Sequence, residues 1–138
     1  TCAVGPFIRL FDRSFSLPNV QGMKLTYAFE GEDGELFSDT GSMDQIGRGL
    51  ITLARQTINE HHSYPDGVAL FTGCMFQAPV TRGGSGAGFT HQVGDVVTIK
   101  APPLGTLISR VTTTDKVRPW NFGMADLMAS LAHRQLLG

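Results

Sequence analysis

Few side chains in this sequence combine the type and the spacing that chemistry requires. Glu30-Gly31-Glu32 sets two carboxylates one residue apart, and hard divalent cations are held by such oxygens when they converge. The pair abuts Asp33-Gly34, a turn dipeptide, so both carboxylates are expected to point into water. His61-His62 could be a metal pair, but adjacent residues at a helix end point in different directions. A solvated helix terminus, with histidine near the negative end of the dipole, is the simpler reading. His91 follows Phe89-Thr90 close to a glycine-rich run, where it could reach a site or be a polar residue at a strand edge. His133 is expected at the surface of the last helix.

The glycine-rich run itself, Arg82-Gly83-Gly84-Ser85-Gly86-Ala87-Gly88, invites a phosphate-binding reading. Backbone cradles for phosphate need a third glycine at the right step, or a following Gly-Lys-Ser/Thr. With Gly84 and Gly86 as the first two, the third place falls on Phe89, and no such lysine follows. A mobile surface loop is the expectation.

The elements that must position these residues are readable from periodicity. Lys24 to Glu30 alternates with period two and puts Leu25, Tyr27 and Phe29 on one face of a strand. Asp33-Gly34 turns the chain, and Glu35 to Asp39 returns as its partner. Gly94-Asp95 is a second turn signal, since glycine accepts positive φ and aspartate bonds its own backbone. Val96 to Lys100 then reads as a strand, Pro102-Pro103 as a corner with no N–H to donate, and Thr106 to Thr112 as the returning strand. Thr1 to Phe11 is expected as an extended opening strand, Asp12 to Gly22 as a surface connection, and Val68 to Phe71 as a short buried strand. Ser42 can cap a helix with the stripe Ile46, Leu50, Leu53, Ala54, Thr57 and Ile58, weakened by Gly47 and Gly49 at roughly 1 kcal/mol each. A second helix is expected from about Gly123 to Gln135, with Met124, Leu127, Met128 and Leu131 as its apolar stripe.

Composition narrows the classes. At 138 residues, 41% hydrophobic and 17% charged, the chain suits one domain and not a disordered segment. A net charge of −1 supplies no basic face for nucleic acid. No apolar run approaches the length that spans a bilayer. Cys2 and Cys74 make neither a metal quartet nor a disulfide framework, which suits a reducing cytoplasm.

Several blocks together carry a family resemblance. Val93 to Val111, with Gly-Asp-Val-Val-Thr-Ile and then Leu-Gly-Thr-Leu, resembles the end of the fumarylacetoacetate hydrolase superfamily domain. Gly5-Pro6-Phe7-Ile8 resembles that family's small-Gly-Pro segment, Lys24 to Met43 its hairpin, and Val68 to Cys74 its apolar strand ending in a Gly-Thr step. The blocks follow the family order from about residue 3 to residue 112. Trp120-Asn121-Phe122-Gly123 and the helix after it are similar to the sugar-acid dehydratase-like branch.

The resemblance implies that residues 1–138 are the C-terminal part of such a domain, its upstream half absent. The implied fold is mainly β or α+β, with mixed, rolled sheets and two helices. The implied parent is a metal-dependent enzyme acting on a 2-oxo acid by C–C hydrolysis, isomerisation, decarboxylation or sugar-acid dehydration. Magnesium or manganese would act as the Lewis acid. The family holds its metal with a Glu-x-Glu pair and a later acidic residue, and Glu30 and Glu32 fall after all of these in family order. The ligands are therefore expected outside this chain, and the chain alone is expected to be inactive.

Thr72, Gly73 and Cys74 match the step that, in the family, holds the substrate carboxylate through a backbone N–H and a hydroxyl. Glycine there lets backbone approach the ligand. Cys74 stands where threonine is expected and is a weaker donor, or simply a small apolar residue, while Thr72 is one residue early and turned to the other face. The resemblance also implies a homodimer. The alternative from another class is a non-catalytic β-rich binding or assembly module that keeps the fold without the site.

Overall fold

The computed structural model describes residues 3–73, 75–76, 82 and 90–137. Their framework is a small α+β unit: one four-stranded antiparallel sheet in the order β2-β1-β3-β4, with three α-helices among the described residues. The strands are β1 (Lys24–Glu30), β2 (Leu36–Ser42), β3 (Val96–Ala101) and β4 (Gly105–Arg110). Two hairpins build it, and each closes where local chemistry directs. Between β1 and β2, Gly34 at φ +84° follows Asp33, and Gly31 and Glu35 bond across the turn at 2.8 Å. Between β3 and β4, only Pro102, Pro103 and Leu104 separate the paired residues Ala101 and Gly105, and the Leu104 N–H bonds to Ala101 at 2.8 Å.

The central pairing, β1 with β3, joins segments about 70 residues apart: Tyr27 faces Ile99 and Phe29 faces Val97. Alternation therefore gathers Tyr27 and Phe29 with Phe37 of β2 on one face. Phe29 and Phe37 stack with ring centres 6.0 Å apart, and Phe76 stacks on Tyr27 at 5.4 Å. Phe29 is only 2% exposed and joins Phe15, Met23 and Ala101 as the buried apolar side chains among the described residues.

The helices are α1 (Leu17–Gln21), α2 (Leu50–Thr57) and α3 (Met124–His133). Helix α1 lies where a surface connection was expected. Ser16 donates its N–H and its hydroxyl to Asn19 Oδ1, both at 2.8 Å, and Pro18 sits in the first turn. Just before it, the Asp12 carboxylate accepts from the Ser14 N–H and hydroxyl, both at 2.7 Å, and tightens the bend that buries Phe15. Those Ser14 contacts, with Arg9, hold the Asp12 carboxyl down to about 2.

Three expectations change. The helix expected from Ser42 divides into a 3-10 turn, Met43–Gln45, and α2 starting at Leu50, because Gly47 and Gly49 fall between them. Val68 to Phe71 joins no ladder among the described residues and is exposed. The described part of the opening segment, residues 3–11, forms no strand, and an isolated bridge, Asp12 with Phe15, follows it. Trp120 and Phe7 are 90% and 87% exposed. The chain exposes 11056 Å², whereas a compact monomer of this size exposes roughly 7,000 Å².

The aromatic face should carry the stability of this unit. Phe29→Ala is expected to cost about 3–5 kcal/mol, because it empties a fully packed aromatic position. Phe7→Ala, on the exposed segment, should stay within about 0.5 kcal/mol. Urea titrations of the two variants check this, and equal effects would show that Phe29 does not anchor the sheet.

Candidate functional site

The densest polar arrangement among the described residues lies where the β1–β2 hairpin turn and the Gly94-Asp95 turn before β3 approach the aromatic face. Asp95 ends the Gly-Asp turn, and its Oδ2 accepts from the N–H of Gln92, three residues before it, at 2.9 Å. Tertiary structure adds two more donors to that same oxygen. Arg82 Nη1 reaches it at 2.5 Å and His91 Nδ1 at 3.3 Å. Asp95 is 1% exposed, and its Oδ1 has no hydrogen-bond partner among the described residues.

Arg82 spans from Asp95 to the other hairpin. Its Nε and Nη2 meet Asp33 Oδ2 and Oδ1 at 3.0 and 2.6 Å, a two-pronged match between planar groups. The guanidinium also lies over the Phe29 ring, 5.4 Å from its centre. Gly31 is the residue under this clamp. A Cβ there would collide with the Arg82 guanidinium and the Asp33 carboxylate, so the close approach requires glycine. Arg82 lies outside helix and strand, as a loop would, but its side chain is 5% exposed, so at this residue the expectation of a mobile surface position changes. The remainder of that glycine-rich run lies outside the described residues.

His91 links the clamp to the aromatic cluster. Its Nε2 is 2.9 Å from the Tyr27 hydroxyl, and its ring stands edge-on to Phe29 at 5.7 Å. The side chain is 33% exposed. Because ionised Asp95 offers only acceptors, Nδ1 carries the hydrogen in this contact, and neutral His91 then accepts the Tyr27 O–H at Nε2. The chain is Tyr27, His91, Asp95, Arg82, Asp33.

Electrostatics follow the same geometry. Hydrogen bonding from Arg82 holds the Asp33 and Asp95 carboxyls below the ordinary carboxylate range, against the desolvation that pushes both upward. The same two carboxylates, Asp95 foremost, raise the Arg82 guanidinium above its usual value.

The residues singled out from sequence are distributed unevenly around this centre. Gly73 adopts φ +97°, with open space where a Cβ would sit, so its backbone conformation and not packing requires glycine. Thr72 is exposed beside it, and Cys74 lies outside the described residues. Met75 and Phe76 pack over Gly41, and Phe76 stacks on Tyr27. Glu30 belongs to β1, while the Glu32 side chain is 74% exposed, 3.7 Å from Arg110. His61 and His62 lie beyond the end of α2 and His133 ends α3, all exposed. Among the described residues no group of three or more His, Cys, Asp or Glu could hold a metal ion. No helix among them is long and apolar enough to cross a membrane.

Sequence reasoning weighed His91 and passed over Tyr27, Asp33 and Arg82 as participants. The one local signal was the turn aspartate, Asp95. No family model, no curated protein and no solved structure matches this chain.

The clamp has a signed pH dependence. A carboxyl lowered in the folded state contributes stability that is full above its unfolded value, about 3.9. That contribution falls away as pH drops from there through the lowered values of Asp33 and Asp95. Thermal melts should therefore show stability declining from about pH 4 downward. Arg82→Ala should lower the melting temperature at neutral pH, because it strands the buried Asp95 charge, and should flatten the acid decline. A variant with the wild-type melting temperature and the wild-type acid limb would remove the clamp from the folding energetics.

Proposed function

We propose that this chain is the C-terminal part of a fumarylacetoacetate hydrolase-like domain of the sugar-acid dehydratase-like branch, and that it supplies the substrate-carboxylate step of an enzyme acting on 2-oxo acids. The observation that carries the reading is Gly73. Its positive φ favours glycine and leaves the backbone open to a ligand, and it sits three residues before the ring that stacks on Tyr27. The two turn-closed hairpins, in the order the resemblance requires, support the same assignment. In this reading Gly73 offers backbone to the carboxylate, with Thr72 and Cys74 flanking it, and magnesium or manganese is held by residues outside this chain. When bound, that cation would polarise the 2-oxo group and stabilise the enolate. Cleavage, isomerisation, decarboxylation and dehydration all remain compatible, and the parent enzyme would act in the cytoplasm.

The exposed apolar surface favours a companion reading. An area of 11056 Å² against roughly 7,000 Å² for a compact monomer leaves apolar surface for a partner to cover. A cleft of about 240 Å³, lined by Phe7, Leu25, Ile99, Leu104 and Leu107, opens on the same sheet face as Tyr27. A homodimer covering such surface would serve an enzyme and a non-catalytic assembly module alike.

Ligand titration separates the two. Pyruvate should produce saturable amide shifts at Thr72 and Gly73, methyl pyruvate should not, and Gly73→Ala should abolish the response, since alanine is strained at that φ. Absence of any shift at Gly73 would sink the enzyme reading and leave the module. Magnesium should bind this chain weakly, and acylpyruvates should not turn over; metal-dependent turnover would show that the catalytic set is complete within these residues. Sedimentation at micromolar concentration is expected to show a dimer, and a clean monomer would remove the companion reading.

A further inference from the structure

We propose that Tyr27, His91 and Asp95 form an acid–base relay that takes up and returns a proton at the Tyr27 hydroxyl, with Arg82 and Asp33 as positioning residues. The geometry sets the direction of each bond. Asp95 Oδ2 accepts from His91 Nδ1 at 3.3 Å, so Nε2 presents its lone pair to the Tyr27 O–H at 2.9 Å. Arg82, bonded to the same Oδ2 and anchored by two bonds to Asp33, fixes the Asp95 carboxylate in place. The imidazole orientation is thereby set by a partner buried to 1% exposure.

Charge and surroundings suit proton transfer better than a merely structural network. The centre holds two carboxylates, Asp33 and Asp95, against one guanidinium, Arg82, so a second positive charge on His91 would bring it to neutrality. Asp39, opposite Tyr27 on β2, is the further charged side chain facing the phenol, and its carboxylate is engaged by the Thr40 N–H at 2.7 Å. The rings of Phe29, Phe37 and Phe76 surround Tyr27 and keep the local dielectric low, which strengthens the hydrogen bonds between the members. The His91 side chain, one-third exposed, opens the relay to solvent protons.

The proton movements balance. The Tyr27 O–H proton passes to Nε2, giving imidazolium and phenolate. The phenolate oxygen then accepts a proton from an acidic C–H or O–H of a ligand, leaving the ligand as its anion. Return of the proton reverses both steps. That the proton belongs to the carbon next to a 2-oxo group rests on the functional reading above; the relay itself does not.

Two measurements on the chain decide the matter. Nitrogen-15 spectra at neutral pH should show His91 with hydrogen on Nδ1 and a bare Nε2; the opposite tautomer would overturn the relay. The chain has two tyrosines, and Tyr64 at 43% exposure is the more accessible reference. N-acetylimidazole moves an acetyl group to a phenol oxygen, the phenol proton leaving to a base and the released imidazole taking one from water. Peptide mass analysis should find Tyr27 acetylated about tenfold or more faster than Tyr64, within the range general-base assistance reaches. His91→Gln should bring Tyr27 below Tyr64. A wild-type Tyr27 slower than Tyr64, or one indifferent to His91→Gln, would overturn the proposal, and the wild-type ratio and tautomer need no variant to fold. A reactive Tyr27 with no pyruvate shift at Gly73 would sink the 2-oxo acid reading alone; a pyruvate shift with a slow Tyr27 would sink the relay alone.

Discussion

The guanidinium of Arg82, held between Asp33 and Asp95, is the constraint on which the organised part of this structure depends. It ties the β1–β2 hairpin turn to the Gly94-Asp95 turn that opens β3, across 49 residues on one side and 13 on the other. Taking a guanidinium and a carboxylate out of water is costly, and the cost is offset only when geometry is close and donors are many. Here Arg82 spends three nitrogens on two carboxylates and its face on Phe29. Gly31 is the accommodation the backbone makes, since any side chain at that place would occupy the clamp. The position of His91, and through it the hydrogen bond to Tyr27, follows from where Arg82 holds Asp95.

Around that centre the packing is one-sided. The aromatic rings of Tyr27, Phe29, Phe37 and Phe76 meet one another over part of one sheet face. Elsewhere Leu36 and Ile108 stand 69% and 66% exposed on the sheet, and α2 and α3 contain no buried residue. Of the stripe expected for α2, Leu50, Leu53, Ala54 and Thr57 are less exposed than their neighbours, while Ile46 lies before the helix and Ile58 is exposed, and none of the described residues buries it. Hydrophobic burial scales with area removed from water, so the stabilisation this fold draws from its own atoms is concentrated at the clamp and the aromatic face.

Much of the backbone was legible in the sequence because its signals are local. Asp33-Gly34 and Pro102-Pro103 mark both hairpin turns, period-two alternation marks Lys24 to Glu30, and the turn aspartate Asp33 accepts from the N–H of Glu35, two residues on, as its chemistry predicts. The misreadings have local causes too. The Ser16-x-x-Asn19 cap with Pro18 between is a helix start that was read as a connection. The apolar composition of Val68 to Phe71 suggested burial, but composition cannot provide a neighbouring strand to pair with.

By itself the sequence determined the four paired strands, their turns and which side chains share a strand face, because φ/ψ preference and alternation act over a few residues. Tertiary structure alone decided the candidate site. Tyr27 and His91 are 64 positions apart, and nothing within either segment indicates that the phenol and the imidazole meet. That meeting depends on β1 pairing with β3 and on Arg82 crossing to both turns. An ion pair buried between distant segments forms only once the chain has brought them together, so no residue spacing records it.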